Sequence, residues 1–315
     1  MLNTDWFYLS NSREWEEFNQ TSVFDGIWNY LWSKKDNLLY NIDGFDKNWK
    51  KIEHWERIKH LLKYISWKLA DVLLWVNFKK PAKRLLKLNE ENFEWNKYNA
   101  RLWFDIWYYD NIFLIDTPKI MEKLNSNSIW LAGAVADCAG VCGTYENGEI
   151  ISLSHIWWVW VVNGVIEQLI YTYMAELGKE EFKKVQFDFS PMAGVNYEWD
   201  SDSFFEKFWK ILDEYNIDAI KEQIFVQDTK YWNLSKWDFY LDRLIKRIFL
   251  ENGANIEQLH FHKDYTTDLG NKWPSYRIHS LFQKWIILPE HTKKSKNWIV
   301  PDARMLVANI VHKNI

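Results

Sequence analysis

Hydrophobic residues along the chain alternate between short continuous runs and stretches with helical spacing. Continuous apolar runs bounded by turn-forming residues predict β-strands, and these lie at 112–116, 150–155, 184–189 and 256–262. The small, apolar run 129–141 fits a buried strand or a tight strand–turn. Apolar residues that recur every three or four positions predict amphipathic helices, and these lie at 51–65, 161–177, 204–215, 235–251 and 304–311. Because strands and helices interleave without a strict βαβ rhythm, an α+β fold with mixed sheets is favoured over a doubly wound parallel sheet.

Two of the predicted helices carry signals at their ends. Ser235 followed by Asp238 resembles a capping box for a helix that runs to Glu251. Gly178 is a suitable left-handed residue to end the helix that precedes it. The chain has no internal repeat and no Pro-, Gly- or Ser-rich linker, so we expect residues 1–315 to form a single domain.

Charge and hydropathy exclude several classes of partner. The 315-residue chain has a net charge of −4 and a pI of about 6.1, so it lacks the basic excess that would neutralise nucleic-acid phosphates. Its most apolar stretch, 150–162, is interrupted by polar residues and is shorter than the roughly 20 residues that a membrane span needs. With no signal-peptide pattern and only two cysteines, we expect a soluble, cytoplasmic protein that binds neither nucleic acid nor membrane.

Tryptophan is unusually common in this chain, with 22 residues against only 11 glycines. Trp130, Trp157, Trp160 and Trp199 fall where the pattern predicts loops or strand ends, and glycine is the usual residue there. Some bacterial lineages read the codon UGA as glycine, whereas a common alternative table reads it as tryptophan. We therefore interpret many of these tryptophans as recoded glycines. The alternative is a genuinely Trp-rich protein, such as a carbohydrate binder with exposed aromatic platforms, whose loops would then be strained.

Cys138 and His155 are the first pair of residues suited to metal binding or catalysis. They stand 17 positions apart, each near the end of a predicted strand. A thiolate and an imidazole that meet in space can bind zinc or copper, or act as a nucleophile and its base. On their own they are equally compatible with a buried structural cysteine and a core histidine.

Five short motifs follow one another in an order that resembles a known family. They are 135–141 (VADCAGV), 155–160 (HIWWVW), 190–198 (SPMAGVNYE), 273–277 (WPSYR) and 303–305 (ARM). The corresponding family motifs are T-A-D-C-x-P-V, H-A-G-W-R-G, G-P-x-I-G-x-x-C-Y-E-V, F-x-S-Y-R-R and G-R-M. The chain thus resembles the laccase-domain, multicopper polyphenol oxidase-like family, whose members are also described as peptidoglycan editing factors and purine nucleoside phosphorylases.

The resemblance covers about 129–311, with a short additional match at 12–15 (SREW) to the family's S-T-R-x-G-G. Residues 1–100 otherwise match weakly, so 101–315 is expected to carry the site. The resemblance implies an α+β fold in which mixed β-sheets are sandwiched between helices as α/β/β/α layers. It also places two of the tryptophans of 155–160 on family glycines, which supports the recoding interpretation.

The family's metal site consists of two histidines and a cysteine, and the resemblance assigns Cys138 and His155 to two of these ligands. The first histidine should lie just before the strand at 112–116, but 105–111 contains none. Tyr108 or Tyr109 is a candidate replacement from that stretch, and His262 is another. Zinc is the expected metal and copper the alternative, although two protein ligands hold zinc poorly compared with three and a water.

Further site residues follow from the same resemblance. Cys138, His155 and Asp137 are the expected catalytic residues, and for Asp137 the two roles in view are orienting its neighbours and capping a turn. Arg13, Tyr276 and Arg277 are expected to bind substrate; for the arginines, surface salt bridges are the alternative role. Two more departures from the family pattern lie close to these residues, with Val159 in place of an arginine and Asn196 in place of a cysteine.

The resemblance implies an enzyme that phosphorolyses or deaminates purine nucleosides such as adenosine, inosine or methylthioadenosine. Its expected partners are the nucleoside and phosphate, and the expected assembly is a monomer or small homo-oligomer. A hydrolase that edits peptidoglycan precursors is one alternative. A degenerate, non-catalytic nucleoside-binding paralogue is another, because the first histidine and the loop arginine are missing. Copper-dependent phenol oxidation is weaker, since one cysteine and a few histidines do not form several copper sites.

Overall fold

The computed structural model describes residues 7–9, 72–76, 85–93, 103–106, 111–227, 236–270, 275–284 and 305–312. Their strands are β1 (Phe7–Leu9), β2 (Val72–Val76), β3 (Leu85–Leu88), β4 (Trp103–Ile106), β5 (Asn111–Leu114), β6 (Ser128–Val135), β7 (Ala139–Tyr145), β8 (Ile150–Ile156), β9 (Gln186–Phe189), β10 (Glu198–Asp200), β11 (Phe225–Val226), β12 (Lys236–Phe239), β13 (Leu259–Phe261) and β14 (Met305–His312). Their helices are α1 (Thr117–Lys123), α2 (Trp158–Val162), α3 (Val165–Leu177), α4 (Lys179–Phe182), α5 (Ser201–Glu214), α6 (Leu241–Glu251) and α7 (Tyr276–Gln283).

The strands form two large mixed sheets and one small sheet. The six-stranded sheet has the order β13-β9-β7-β8-β5-β3, with parallel pairs at its two edges and antiparallel pairs between them. The five-stranded sheet has the order β1-β14-β6-β2-β4, and only its β14–β6 pair is antiparallel. Strands β10, β12 and β11 form a small antiparallel sheet. The predicted α+β class with mixed sheets is therefore confirmed.

The six-stranded sheet is buried on both faces, as β7 illustrates. Val141 belongs to the apolar cluster that includes residues of α2 to α6, whereas its neighbour Cys142 belongs to the cluster shared with the five-stranded sheet. This alternation follows from the two-residue period of a strand. The close approach of α3 is visible at Gly143, where a Cβ would lie 2.5 Å from the Tyr173 hydroxyl. Among the described residues, helices therefore cover one outer face of the sandwich.

Several predicted elements are confirmed, with shifts of a few residues. The strand predicted at 150–155 is β8, and the helix predicted at 204–215 is α5, which Asp200 caps by accepting a hydrogen bond from the Ser203 amide at 3.1 Å. The helix predicted at 161–177 is divided at Gly164, whose φ of 78° is left-handed. Its predicted end at Gly178 is confirmed.

Two predictions need correction, and the one at 51–65 lies outside the described residues. The segment 304–311 was predicted as a helix but forms β14, where Val307, Asn309 and Val311 alternate into the interior with a strand's period of two. The helix predicted from Ser235 begins only at Leu241, because Lys236–Phe239 pairs as β12; Ser235 itself lies outside the described residues. The run 129–141, predicted as a buried strand or a tight strand–turn, is two strands, β6 and β7, separated by the turn 136–138.

No helix in the described ranges is both long and apolar enough to cross a membrane. The N-terminal part, 1–100, is described only in short pieces, so the expected single domain over 1–315 stays a prediction.

Candidate functional site

The turn 136–138, which joins the two large sheets through β6 and β7, carries the first two candidate residues. Asp137 is only 5% exposed, yet both of its carboxylate oxygens have partners. Oδ1 accepts a hydrogen bond from the Thr266 hydroxyl at 2.7 Å, and Oδ2 accepts one from the Arg277 backbone amide at 2.8 Å. Cys138 is partly exposed, whereas Cys142, four residues further along β7, is fully buried.

His155 shares a face of the six-stranded sheet with Gly140, which it pairs with across β7 and β8. Gly140 lies two residues beyond Cys138, which is in the turn just before β7. This face points towards the five-stranded sheet, because a Cβ on Gly140 would lie 2.9 Å from the Val307 side chain. The structure thus brings the predicted thiol and imidazole into the same neighbourhood.

Arg277 enters the site from the first turn of α7. Its Nη2 lies 3.9 Å from Glu198 Oε2, a separation too long for a hydrogen bond, and its Cζ lies 5.8 Å from the centre of the Tyr197 ring. Its Nε is buried and makes no hydrogen bond to any described residue. The Nε donor of the guanidinium group is therefore unsatisfied among the described residues, while the buried Glu198 carboxylate lies within ion-pair distance of its charge. The neighbouring Tyr276 is 58% exposed and lies on the surface.

Tyr197 links these groups, and the sequence did not single it out. Burial raises the pKa of its hydroxyl, and the negative charge of Asp137 raises it further, while Arg277 lowers it and Cys138 raises it slightly. All three groups therefore lie within electrostatic range of one ring. The Trp157 ring contacts it edge-on at 5.3 Å. The position of Tyr197 inside the 190–198 motif was the signal that could have identified it.

The described residues do not fit a resident metal ion. They contain no group of three or more His, Cys, Asp or Glu residues that could hold one, and Cys138 with His155 supplies two ligands where a catalytic zinc uses three and a water. The suggested replacement His262 uses its Nδ1 to accept a hydrogen bond from the Asp264 amide at 3.0 Å. Tyr108, Tyr109 and Arg13 lie outside the described residues.

The tryptophans near the site do not need a glycine-like backbone. Trp157 is extended, with a φ of −123°, and Trp160 lies within α2, 8% exposed, with its ring 4.8 Å from that of His155. Trp130 lies inside β6 and not at a strand end, which corrects its predicted position. Every non-glycine residue with a positive φ in the described ranges is an Asp, Asn, Glu or Gln. The strain expected of a genuine tryptophan is absent from these described positions.

No family model and no curated protein matches the sequence. Several solved structures resemble it, among them the following three. The hypothetical protein YfiH of Bacillus licheniformis has a TM-score of 0.54 at 14% identity, with 82% of each chain covered. YlmD of Geobacillus stearothermophilus has a TM-score of 0.49 at 12% identity, over 82% of this chain and 79% of that one. Neisseria meningitidis NMB0706, described as family-model DUF152, has a TM-score of 0.49 at 14% identity, over 82% of each.

The likeness to YfiH shows a shared fold along most of both chains. It confirms the resemblance to the laccase-domain family at the level of the fold. At 14% identity it carries no site residue from one protein to the other.

Proposed function

We propose that the chain is an enzyme that acts on purine nucleosides at the site formed by Cys138, His155, Tyr197 and Arg277. The observation that carries the proposal is the convergence, around the turn 136–138, of a thiol, an imidazole and a guanidinium group whose Nε donor is unsatisfied among the described residues. The geometry supports phosphorolysis best, because Arg277 offers an anion partner that simple hydrolysis or deamination does not need.

Each group has a part in such a reaction. The Arg277 guanidinium binds inorganic phosphate, and the rings of Tyr197 and Trp157 supply apolar surface for the purine. A phosphate oxygen attacks C1′ of the ribose, and the C1′–N9 bond breaks with its electron pair passing to the purine. The leaving purine takes up a proton, for which the imidazole of His155 is the candidate donor beside Cys138. No step of this scheme is routed through a metal ion.

The test is to incubate the purified chain with adenosine and phosphate and to separate the products chromatographically. Adenine with ribose 1-phosphate indicates phosphorolysis, inosine indicates deamination, and adenine with free ribose indicates hydrolysis. We expect adenine that appears only when phosphate is present.

Two matched pairs of variants locate the activity. His155→Gln is expected to lower kcat/KM at least about 100-fold, because it removes the candidate proton donor, whereas His260→Gln, at an exposed histidine of β13, leaves it nearly unchanged. Arg277→Gln is expected to raise KM for phosphate about tenfold or more, and Arg247→Gln on the surface of α6 leaves it unchanged. Equal losses within either pair would place the chemistry elsewhere.

A non-catalytic nucleoside-binding protein is the second candidate. It is favoured because the described residues contain no group of three or more His, Cys, Asp or Glu side chains that could hold a metal ion. Adenosine that binds in calorimetry but yields no product with phosphate, zinc or copper added would decide for this candidate.

A further inference from the structure

Asp137 is a buried charge that holds three other segments of the chain together. Its carboxylate accepts hydrogen bonds from the Thr266 hydroxyl at 2.7 Å and the Arg277 amide at 2.8 Å. Its backbone carbonyl accepts one from the Ala193 amide at 2.9 Å. A second link in the same place joins the Thr266 amide to the Met192 carbonyl at 2.8 Å. The 192–194 segment, Thr266 and the start of α7 therefore meet at Asp137.

The hydrogen bond from the Arg277 amide to the Asp137 carboxylate places a negative charge at the start of a helix. The amide that Asp137 binds belongs to the first turn of α7, where backbone N–H groups have no partner within the helix and a negative charge is favourable. A hydrogen bond from such a group to a carboxylate is charge-assisted and stronger than one between neutral groups. Ser275 accepts the next free amide, that of Ile278, at 3.1 Å. The start of α7 is thus attached to the turn that carries Cys138.

We propose that Asp137 is a positioning residue that aims the Arg277 guanidinium at an oxyanion beside Cys138. Both carboxylate oxygens accept hydrogen bonds, one of them from the Arg277 amide, so the role proposed for Asp137 is exerted through Arg277. Fixing the backbone of Arg277 limits the space that its side chain can sample, which lowers the entropic cost of anion binding. That the anion is inorganic phosphate rests on the proposed function.

Three variants separate positioning from proton transfer and from simple stabilisation. Asp137→Asn keeps both contacts, because its Oδ1 accepts from the Arg277 amide while its Nδ2 donates to the Thr266 hydroxyl, but it cannot exchange a proton at neutral pH. Asp137→Ala removes both contacts. Thr266→Val removes a hydrogen bond from the same carboxylate and leaves the Arg277 contact intact, so it is the matched control for lost stability.

The measurements are the dissociation constant of inorganic phosphate, from calorimetry, and KM for phosphate against kcat. We expect Asp137→Ala to weaken phosphate binding at least about tenfold, with Asp137→Asn and Thr266→Val within about threefold of the unchanged chain. If Asp137→Asn lowers kcat as strongly as an alanine, Asp137 is catalytic and the proposal is wrong. If Asp137→Ala does not fold, the comparison is made between Thr266→Val and Arg277→Gln. A loss of phosphate binding that is as large in Thr266→Val as in Arg277→Gln would also overturn the positioning role.

The two proposals can fail separately. Phosphate binding that weakens in Asp137→Ala, in a chain that releases no product from adenosine, supports the positioning role and rejects the proposed function. Turnover of adenosine by the unchanged chain with no measurable binding of phosphate overturns the positioning role, whatever the products are.

Discussion

Asn309 is expected to be the most sensitive polar residue of the fold, because it connects the two large sheets. It lies in β14 with its side chain 0% exposed. Its Nδ2 donates to the Gly143 carbonyl at 2.9 Å and the Ser152 carbonyl at 3.1 Å, and it lies 3.2 Å from the Thr144 hydroxyl. One amide of the five-stranded sheet therefore reaches into the β7–β8 pair of the other sheet.

The expected cost of removing this amide follows from those contacts. Asn309→Ala loses two hydrogen bonds, each worth about 1 kcal/mol net, and leaves buried polar atoms whose desolvation costs about 1–3 kcal/mol. We expect the free energy of unfolding to fall by about 3 kcal/mol, a large part of the roughly 5–15 kcal/mol of a typical domain. Thr144→Val removes one partner and preserves shape, so it is the matched control, with a loss of about 1 kcal/mol.

Asn309→Asp sharpens the test through its pH dependence. A carboxylate at this position would face two carbonyl oxygens, so the folded state favours the protonated acid and raises the pKa of the new side chain above the unfolded value of about 3.9. The variant is therefore least destabilised below that value and loses further stability as the pH rises through the folded pKa. Exposed Asn125→Asp serves as the control for the substitution itself.

The assay is urea unfolding followed by circular dichroism at several pH values. Asn309→Ala within about 0.5 kcal/mol of the unchanged chain would refute the inference that this amide joins the sheets. Equal stability losses of Asn309→Asp at acidic and neutral pH would refute the electrostatic part.

Three further predictions concern a carboxylate, the thiols and the tryptophans. Burial raises the pKa of Asp242, whose Oδ1 has no hydrogen-bond partner among the described residues. In urea unfolding, Asp242→Asn should therefore be more stable than the unchanged chain at about pH 7, and this gain should disappear towards about pH 3.5. A stability difference that stays the same across this pH range would contradict the prediction. Iodoacetamide should label Cys138 in the folded chain but Cys142 only after unfolding, because Cys138 is partly exposed and Cys142 is buried. Peptide mass spectrometry measures the labelling, and equal labelling rates of the two cysteines would contradict the described burial. Peptide masses of the native protein should show glycine at Trp157 and Trp160 if the recoding interpretation is right, and tryptophan at both positions would reject it.

The sequence predicted the centre of the fold better than its edges. β8 and α3 were recognisable because each has one dominant pattern, a continuous buried run and a helical spacing that ends at glycine. β14 was missed because eight residues with mixed apolar content fit a helical and a strand pattern almost equally well. Only its pairing along the whole of β6 decides between them, and that contact joins positions more than 160 residues apart.

The candidate site shows the same division between local and long-range information. Cys138 and His155 were identified from the sequence because a hairpin, β7–β8, brings them together. Tyr197 was not singled out, and the partners of Asp137 could not be predicted, because their surroundings come from distant segments. Thr266 and Arg277 reach Asp137 across 129 and 140 positions of the chain.

The position of Asp137 makes the proposed anion site independent of any metal ligand. A metal centre built on Cys138 and His155 would depend on a third ligand that the described residues do not supply. The Asp137–Arg277 contact involves a backbone amide, so its geometry depends on the fold and not on that third ligand. Under the proposed function we therefore expect phosphate binding by Arg277 to be unchanged when a chelator is added.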